Sequence, residues 1–129
     1  MEIIGETATR ATLIVDDDER ITEALALYIA GPDRTVITCN DIESAQIVLE
    51  QMPITEVIAD VQYSGRFGFE GLALIRHIRA YAPKARVILM SGRASAELRE
   101  EATALGAHAL LEKPFDPDIL ESLLSMEED

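Results

Sequence analysis

Asp16, Asp17 and Asp18 stand in a row after one apolar run, Asp60 follows a second, and Ser91 and Lys113 each follow a further one. Carboxylates brought within a few ångströms repel one another and shift each other's pKa values unless a cation sits among them. An oxygen-only donor set favours a hard divalent ion, and Mg2+ commonly takes one or two carboxylates plus waters and phosphate oxygens. A lysine acting as a point charge and a serine hydroxyl acting as a donor suit phosphoryl oxygens. A carboxylate can itself be the nucleophile that accepts the phosphoryl group. These residue types imply Mg2+-assisted phosphoryl transfer onto an aspartate, provided the fold brings them to one place.

The elements needed to do so are legible. Thr12 to Val15, Thr35 to Cys39, Val57 to Ala59, Val87 to Met90 and Ala107 to Leu111 are mostly continuous apolar runs, the pattern of strands in a parallel sheet covered on both faces. Helical stripes lie between them. Ile21, Ala24, Leu25 and Tyr28 form one, stopped by Gly31 and Pro32. Ile42, Ala45, Leu49 and Met52 form a second, Leu74, Ile75, Ile78 and Ala82 a third, and Leu98, Ala102 and Leu105 a fourth closed by Gly106. Asp116 reads as an N-cap with Pro117 behind it, opening a helix with Ile119, Leu120, Leu123 and Leu124 on its apolar face. The fold class is therefore α/β, a doubly wound (βα)5 chain with a five-stranded parallel sheet in the flavodoxin-like order 2-1-3-4-5. Ligands in such sheets bind outside the carboxyl ends of the strands, where the acidic residues, Ser91 and Lys113 all fall. Only the second strand, expected at a sheet edge, ends in nothing comparable. Residues 1–10 read as an N-terminal extension, 11–126 as the single domain and 127–129 as an acidic, frayed end.

Composition bounds the function. The chain has 129 residues, with 11 Lys and Arg against 24 Asp and Glu, a net charge of −13. A field of that sign disfavours direct contact with DNA, which needs a basic surface. No run approaches the roughly 18 apolar residues of a membrane span. Glu2 and Glu6 stand where an export signal would be basic. The lone Cys39, inside an apolar run, reads as a buried thiol in a reduced, cytoplasmic setting.

Leu13-Ile14-Val15-Asp16-Asp17-Asp18, the isolated Asp60, Ile88-Leu89-Met90-Ser91-Gly92 and Glu112-Lys113-Pro114-Phe115 together resemble the CheY-like receiver domain of two-component response regulators. The likeness runs from about Ala11 to Ser125. It implies that Asp60 is the phosphoacceptor and that Asp16 and Asp17 hold Mg2+, Asp17 as the more direct ligand and Asp16 largely through water. It further implies that the backbone carbonyl of Gln62 completes the metal shell, that Ser91 senses the phosphoryl group and Lys113 pairs with it, and that the Lys113-Pro114 bond is cis. Gln62 and Arg93 would flank the acyl phosphate and modulate its loss. The implied partners are a histidine kinase or histidine phosphotransfer protein upstream and a protein target downstream, with a homodimer left open. Such a receiver catalyses its own phosphorylation and dephosphorylation without being a conventional multi-turnover enzyme.

Three departures stand beside the resemblance. Tyr63-Ser64 replaces the usual Met-Pro, and taking Glu70-Gly71 as the following acidic-Gly pair implies about three extra residues in 65–69, a loop expected to be mobile. Leu110 occupies the position three before the lysine, commonly an aromatic that swings inward on phosphorylation. No output domain follows the last helix, so output is expected through a separate protein. Two other readings stay open: a phosphorylation-independent interaction module, and a haloacid-dehalogenase-like phosphatase, which would want an aspartate where Gln62 stands. Asp18 reads as a helix N-cap, His77 as an exposed helix residue and His108 as a partly buried, hydrogen-bonded one. Phe69 reads as core, with Phe67 left open as a cover for the site or a docking residue.

Overall fold

Neighbouring residues of a strand point to opposite faces, so a continuously apolar run is buried only between two layers. The computed structural model, which describes residues 2–4, 10–61 and 69–125, has that arrangement. Its elements in chain order are β1 (Glu2–Ile4), β2 (Arg10–Val15), α1 (Glu19–Ile29), β3 (Arg34–Cys39), α2 (Ile42–Gln51), β4 (Glu56–Asp60), α3 (Phe69–Tyr81), β5 (Arg86–Ser91), α4 (Ala96–Ala104), β6 (Ala109–Glu112) and α5 (Asp118–Ser125). The strands β3-β2-β4-β5-β6 are parallel, which is the expected 2-1-3-4-5 order. Leu13, Val15, Val57, Ala59, Val87 and Leu89 face a core closed by α2, α3 and α4. Ile14, Ile58, Ile88 and Met90 face a second core closed by α1 and α5. Each fully buried Leu, Ile or Met contributes roughly 1.5–3 kcal/mol, so both layers are needed to hold the strands in register.

Several expectations change. The N-terminal extension supplies a strand: β1 pairs antiparallel with β3, Ile3 opposite Ile37, so β3 is not at the edge and the sheet has six strands. A three-residue strand carries too little periodicity to be read from the sequence. On α1 the buried residues are Thr22, Leu25 and Ala26, with Ala24 and Tyr28 exposed. Instead, Ile21 and Ala24 line a groove of about 660 Å3 with Met90, Lys113 and Phe115. The helix is rotated because a threonine can be buried once its hydroxyl is bonded, and that of Thr22 donates to the Glu19 carbonyl at 3.1 Å. Ile119 is exposed, leaving Leu120 and Leu124 as the buried face of α5. The last strand starts at Ala109, and His108 just before it is exposed, its Nδ1 accepting from the Val87 amide at 3.0 Å. His77 is half-buried, with Nε2 3.1 Å from Glu50 Oε2 across the α2–α3 interface and its ring against Tyr81.

Local signals end the helices where expected. Asp18, Asp41 and Ser95 cap α1, α2 and α4, accepting from the amides of Arg20, Ser44 and Leu98. Gly106 has φ +94°, and a side chain there would meet the Arg79 guanidinium at 3.3 Å. That guanidinium donates to the carbonyls of Pro83, Ala85 and Gly106, tying the ends of α3 and α4 to the strands that follow.

The amino-terminal rim of the sheet is held by charge. Thr12 Oγ1 donates to Glu56 Oε1 at 2.6 Å, and Arg34 Nη1 donates to both Thr12 and Glu56. Arg86 and Arg10 donate to the Leu123 and Leu124 carbonyls at 2.7 and 3.0 Å, placing positive charge at the C-terminal end of α5. Because Glu56 and Arg34 are largely buried, Glu56→Ala strands a cation and is expected to lower unfolding free energy by about 3 kcal/mol in urea melts. Cys39 is fully buried at the end of β3, and burial pushes its thiol up to about 11. It should resist iodoacetamide at pH 8 in the folded protein and react readily in urea, as followed by mass spectrometry.

Candidate functional site

Parallel register places the reactive residues. Val15 pairs with Ala59 and Asp60 with Met90, so Asp16 and Asp60 emerge side by side at the carboxyl ends of β2 and β4. Ser91 ends β5 opposite Glu112, and the Lys113 amide donates to the Ser91 carbonyl at 2.8 Å. Strand β6 stands three positions from β2, roughly 14 Å along a sheet. The Lys113 side chain extends over the strand ends and meets the Asp16 and Asp60 carboxylates that reach from the other side. Its Nζ lies 2.6 Å from Asp16 Oδ2 and 3.2 Å from Asp60 Oδ2. The Lys113-Pro114 bond is cis.

Oxygens of Asp16, Asp17 and Asp60 all lie within 4.8 Å of one another. Asp16 is buried and Asp17 exposed, while Asp60 is buried beneath the lysine. Asp17 has its pKa raised, first by desolvation, then by its hydrogen bond to Asp16 and the charges of Asp16 and Asp60, with Lys113 opposing. For Lys113, desolvation pulls the ammonium down. The hydrogen bond and charge of Asp16, followed by those of Asp60, outweigh it and leave the pKa raised. The lysine is thus the charge that makes this acidic cluster tolerable.

The donor set suits a hard divalent cation. With Mg2+–oxygen distances near 2.1 Å, two ligand oxygens lie at most about 4.2 Å apart. The 4.8 Å bound found here is close to that span, so the three carboxylates are near enough to share one ion, directly or with a water between the ion and one of them. Both Asp16 oxygens already have partners within the protein: Oδ1 accepts from the Asp18 amide at 2.9 Å and Oδ2 from Lys113. The exposed Asp17 would contact the ion directly.

Ser91 is fully buried, and its hydroxyl is turned into its own loop, accepting from the Arg93 amide and donating to the Arg93 carbonyl, both at 3.0 Å. Leu110 is 9% exposed and packs in the core, while Arg99 of α4 donates to its carbonyl at 3.1 Å. Gln62, the 65–69 loop apart from the start of α3, Phe67, the side chain of Phe69 and the 127–129 end lie outside the described residues. Asn40 escaped the sequence reading, although it follows an apolar run as the acidic residues do. Its Nδ2 donates to the Asp16 carbonyl at 2.8 Å.

A doubly wound sheet with an acidic cluster and a lysine at its carboxyl rim defines a receiver-type signalling domain. The chain belongs to the response regulator receiver domain family, whose family model matches residues 12–125. It is thus a receiver of the kind found in two-component systems. It is 32% identical over 113 residues to an NtrX-like response regulator of Rickettsia bellii, covering 87% of this chain and 23% of that protein. Against the DNA-binding transcriptional regulator NtrC of Escherichia coli K12 it is 32% identical over 108 residues, covering 81% of this chain and 22% of the relative. The chain thus spans less than a quarter of the length of these two relatives. The crystal structure of chemotaxis protein CheY4 of Vibrio cholerae superimposes with a TM-score of 0.77 at 26% identity, covering 91% of this chain and 97% of that one.

The electrostatics have a measurable consequence. Lys113→Ala leaves the buried Asp16 carboxylate without its counter-charge and should cost about 3 kcal/mol in the metal-free protein. Asp17→Asn should do the reverse at pH 7 and raise the metal-free melting temperature. A raised carboxylate pKa means the folded state binds the proton more readily, so wild type recovers this stability as pH falls through that pKa. The advantage of Asp17→Asn should therefore shrink towards pH 4 in thermal melts, and a constant difference across that range would contradict it.

Proposed function

We propose that Asp60 accepts a phosphoryl group from a phosphohistidine, on a histidine kinase or histidine phosphotransfer protein, with Mg2+ held by Asp16, Asp17, Asp60 and the Gln62 carbonyl. The carrying observation is Lys113 Nζ bridging Asp16 and Asp60 within the three-carboxylate cluster. When bound, Mg2+ supplies positive charge to the transferring phosphoryl oxygens. The chain's own residues do the rest. Asp60 presents a carboxylate oxygen as nucleophile, an O–P bond forms as the P–N bond breaks, and the imidazole leaves with its electron pair. Lys113 moves from carboxylate to phosphoryl oxygen without changing its charge, which stabilises the product.

Ser91 then gains a stronger acceptor than the Arg93 carbonyl, and turning towards it withdraws the hydroxyl that now holds the loop before α4. The change reaches β6 through the Lys113 amide and through Glu112, which accepts from the Ala94 amide at 3.1 Å. A protein target reading the α4–α5 side would sense the shift. Arg93, exposed beside Ser91, modulates loss of the phosphoryl group, and hydrolysis resets the domain. No helix among the described residues is long and apolar enough to cross a membrane, and we assign the protein to the cytoplasm, acting through proteins with no direct DNA contact of its own.

Acetyl phosphate with Mg2+ should add one phosphoryl mass to the wild type and none to Asp60→Asn, with chelation abolishing the gain. Labelling that survives Asp60→Asn would sink the assignment. Leu110, already buried, favours a second reading in which binding is independent of phosphorylation. In that case beryllofluoride, a phosphoryl mimic, would leave the amide resonances of α4 and β6 unmoved.

A further inference from the structure

Residues 39 and 40 grip Asp16 on both sides of its backbone. Its amide donates to the Cys39 carbonyl at 3.2 Å, and its carbonyl accepts from Asn40 Nδ2 at 2.8 Å. The same Nδ2 donates to Thr22 Oγ1 at 3.1 Å. Thr22 is 1% exposed, and its hydroxyl proton goes to the Glu19 carbonyl. One amide therefore fastens the acidic loop to the first turn of α1.

The carbonyl of Asp16 and the amide nitrogen of Asp17 belong to one planar peptide. Fixing the direction of that carbonyl sets the direction in which Asp17 leaves the strand. The other described contact that constrains the turn at Asp17 is the Asp18 amide, which donates to Asp16 Oδ1 at 2.9 Å and acts on the side chain of Asp16, not on its carbonyl. The contact needs a donor at position 40, because a carbonyl only accepts. Asp41, which caps α2 by accepting from the Ser44 amide at 2.7 Å, turns the chain immediately after Asn40.

We propose that Asn40 is a positioning residue for the metal-binding pair: it orients the Asp16–Asp17 peptide so that Asp17 faces the ion. This rests on the role of Asp17 proposed above. Residues that orient metal ligands through hydrogen bonds typically change affinity by about 10- to 100-fold when lost.

The test combines Mg2+ calorimetry with amide hydrogen exchange on the metal-free protein for wild type, Asn40→Ala, Asn40→Ser and Thr22→Val. Asn40→Ser keeps a polar side chain at the turn but is too short to reach the Asp16 carbonyl, and it serves if the alanine variant fails to fold. Both Asn40 variants should bind Mg2+ about tenfold more weakly and exchange the Asp16 and Asp18 amides, which donate to the Cys39 carbonyl and to Asp16 Oδ1, faster. Thr22→Val, which leaves the Asn40–Asp16 bond in place, should bind Mg2+ close to wild type. Folded Asn40 variants with wild-type Mg2+ affinity and wild-type exchange at Asp16 and Asp18 overturn the proposal. If wild type itself takes up no Mg2+, the metal role of Asp17 is what fails, and exchange at Asp16 and Asp18 then decides whether Asn40 orients the loop.

Discussion

Three carboxylates within 4.8 Å of one another are an unfavourable arrangement, and the structure depends on how that repulsion is contained. Within the chain the counter-charge comes from Lys113, 97 residues away from Asp16 and three strands across the sheet. Its reach is useful only if β2, β4, β5 and β6 hold a common register. That register is stabilised by the two apolar layers that sandwich the strands, not by anything at the rim itself. The core thus sustains an electrostatic conflict that would otherwise push the strand ends apart, and the pKa of Asp17 is raised by desolvation first and by the neighbouring Asp16 and Asp60 after it. A site built this way concentrates negative charge at one end of the sheet, an environment that favours a cation.

The opposite rim has a different logic. There Thr12, Arg34 and Glu56 pair with one another, and Arg10 and Arg86 hold the last carbonyls of α5. Among the described residues there, these charged and polar groups find their partners within the chain. The asymmetry between a balanced amino-terminal rim and an acidic carboxyl-terminal rim is what directs chemistry to one end of the sheet. Between them, α5 is tied to the sheet at its C-terminal end, while the loop before it follows Lys113, a path that links the site to an outer helix.

The carboxyl rim was legible because each of its residues follows an apolar run, and strand ends in a parallel sheet share one side. Asp16, Asp60, Ser91 and Lys113 needed only topology to be brought together. Leu74, Ile75 and Ile78 likewise announced the buried face of α3, since apolar spacing and burial coincide there. On α1 they did not coincide. Thr22 is buried through a hydrogen bond and Ala24 faces a groove, so hydrophobicity alone selected a face rotated from the true one. Asn40 was missed for a related reason: a polar residue before a helix cap looks like a turn, and its hydrogen bond goes to a carbonyl just past the end of another strand.

By itself the sequence determined the order of the five strand–helix pairs, the 2-1-3-4-5 order of their parallel strands and the residue types at each strand end, because these depend on local periodicity and chain connectivity. Tertiary structure alone decided which oxygen of Asp16 meets Lys113, that Ser91 is turned towards Arg93, that Asn40 holds the Asp16 peptide and that β1 closes the sheet beside β3. These are distances and directions between segments far apart in the chain. They follow from how two apolar layers settle against a twisted sheet, which no local pattern encodes.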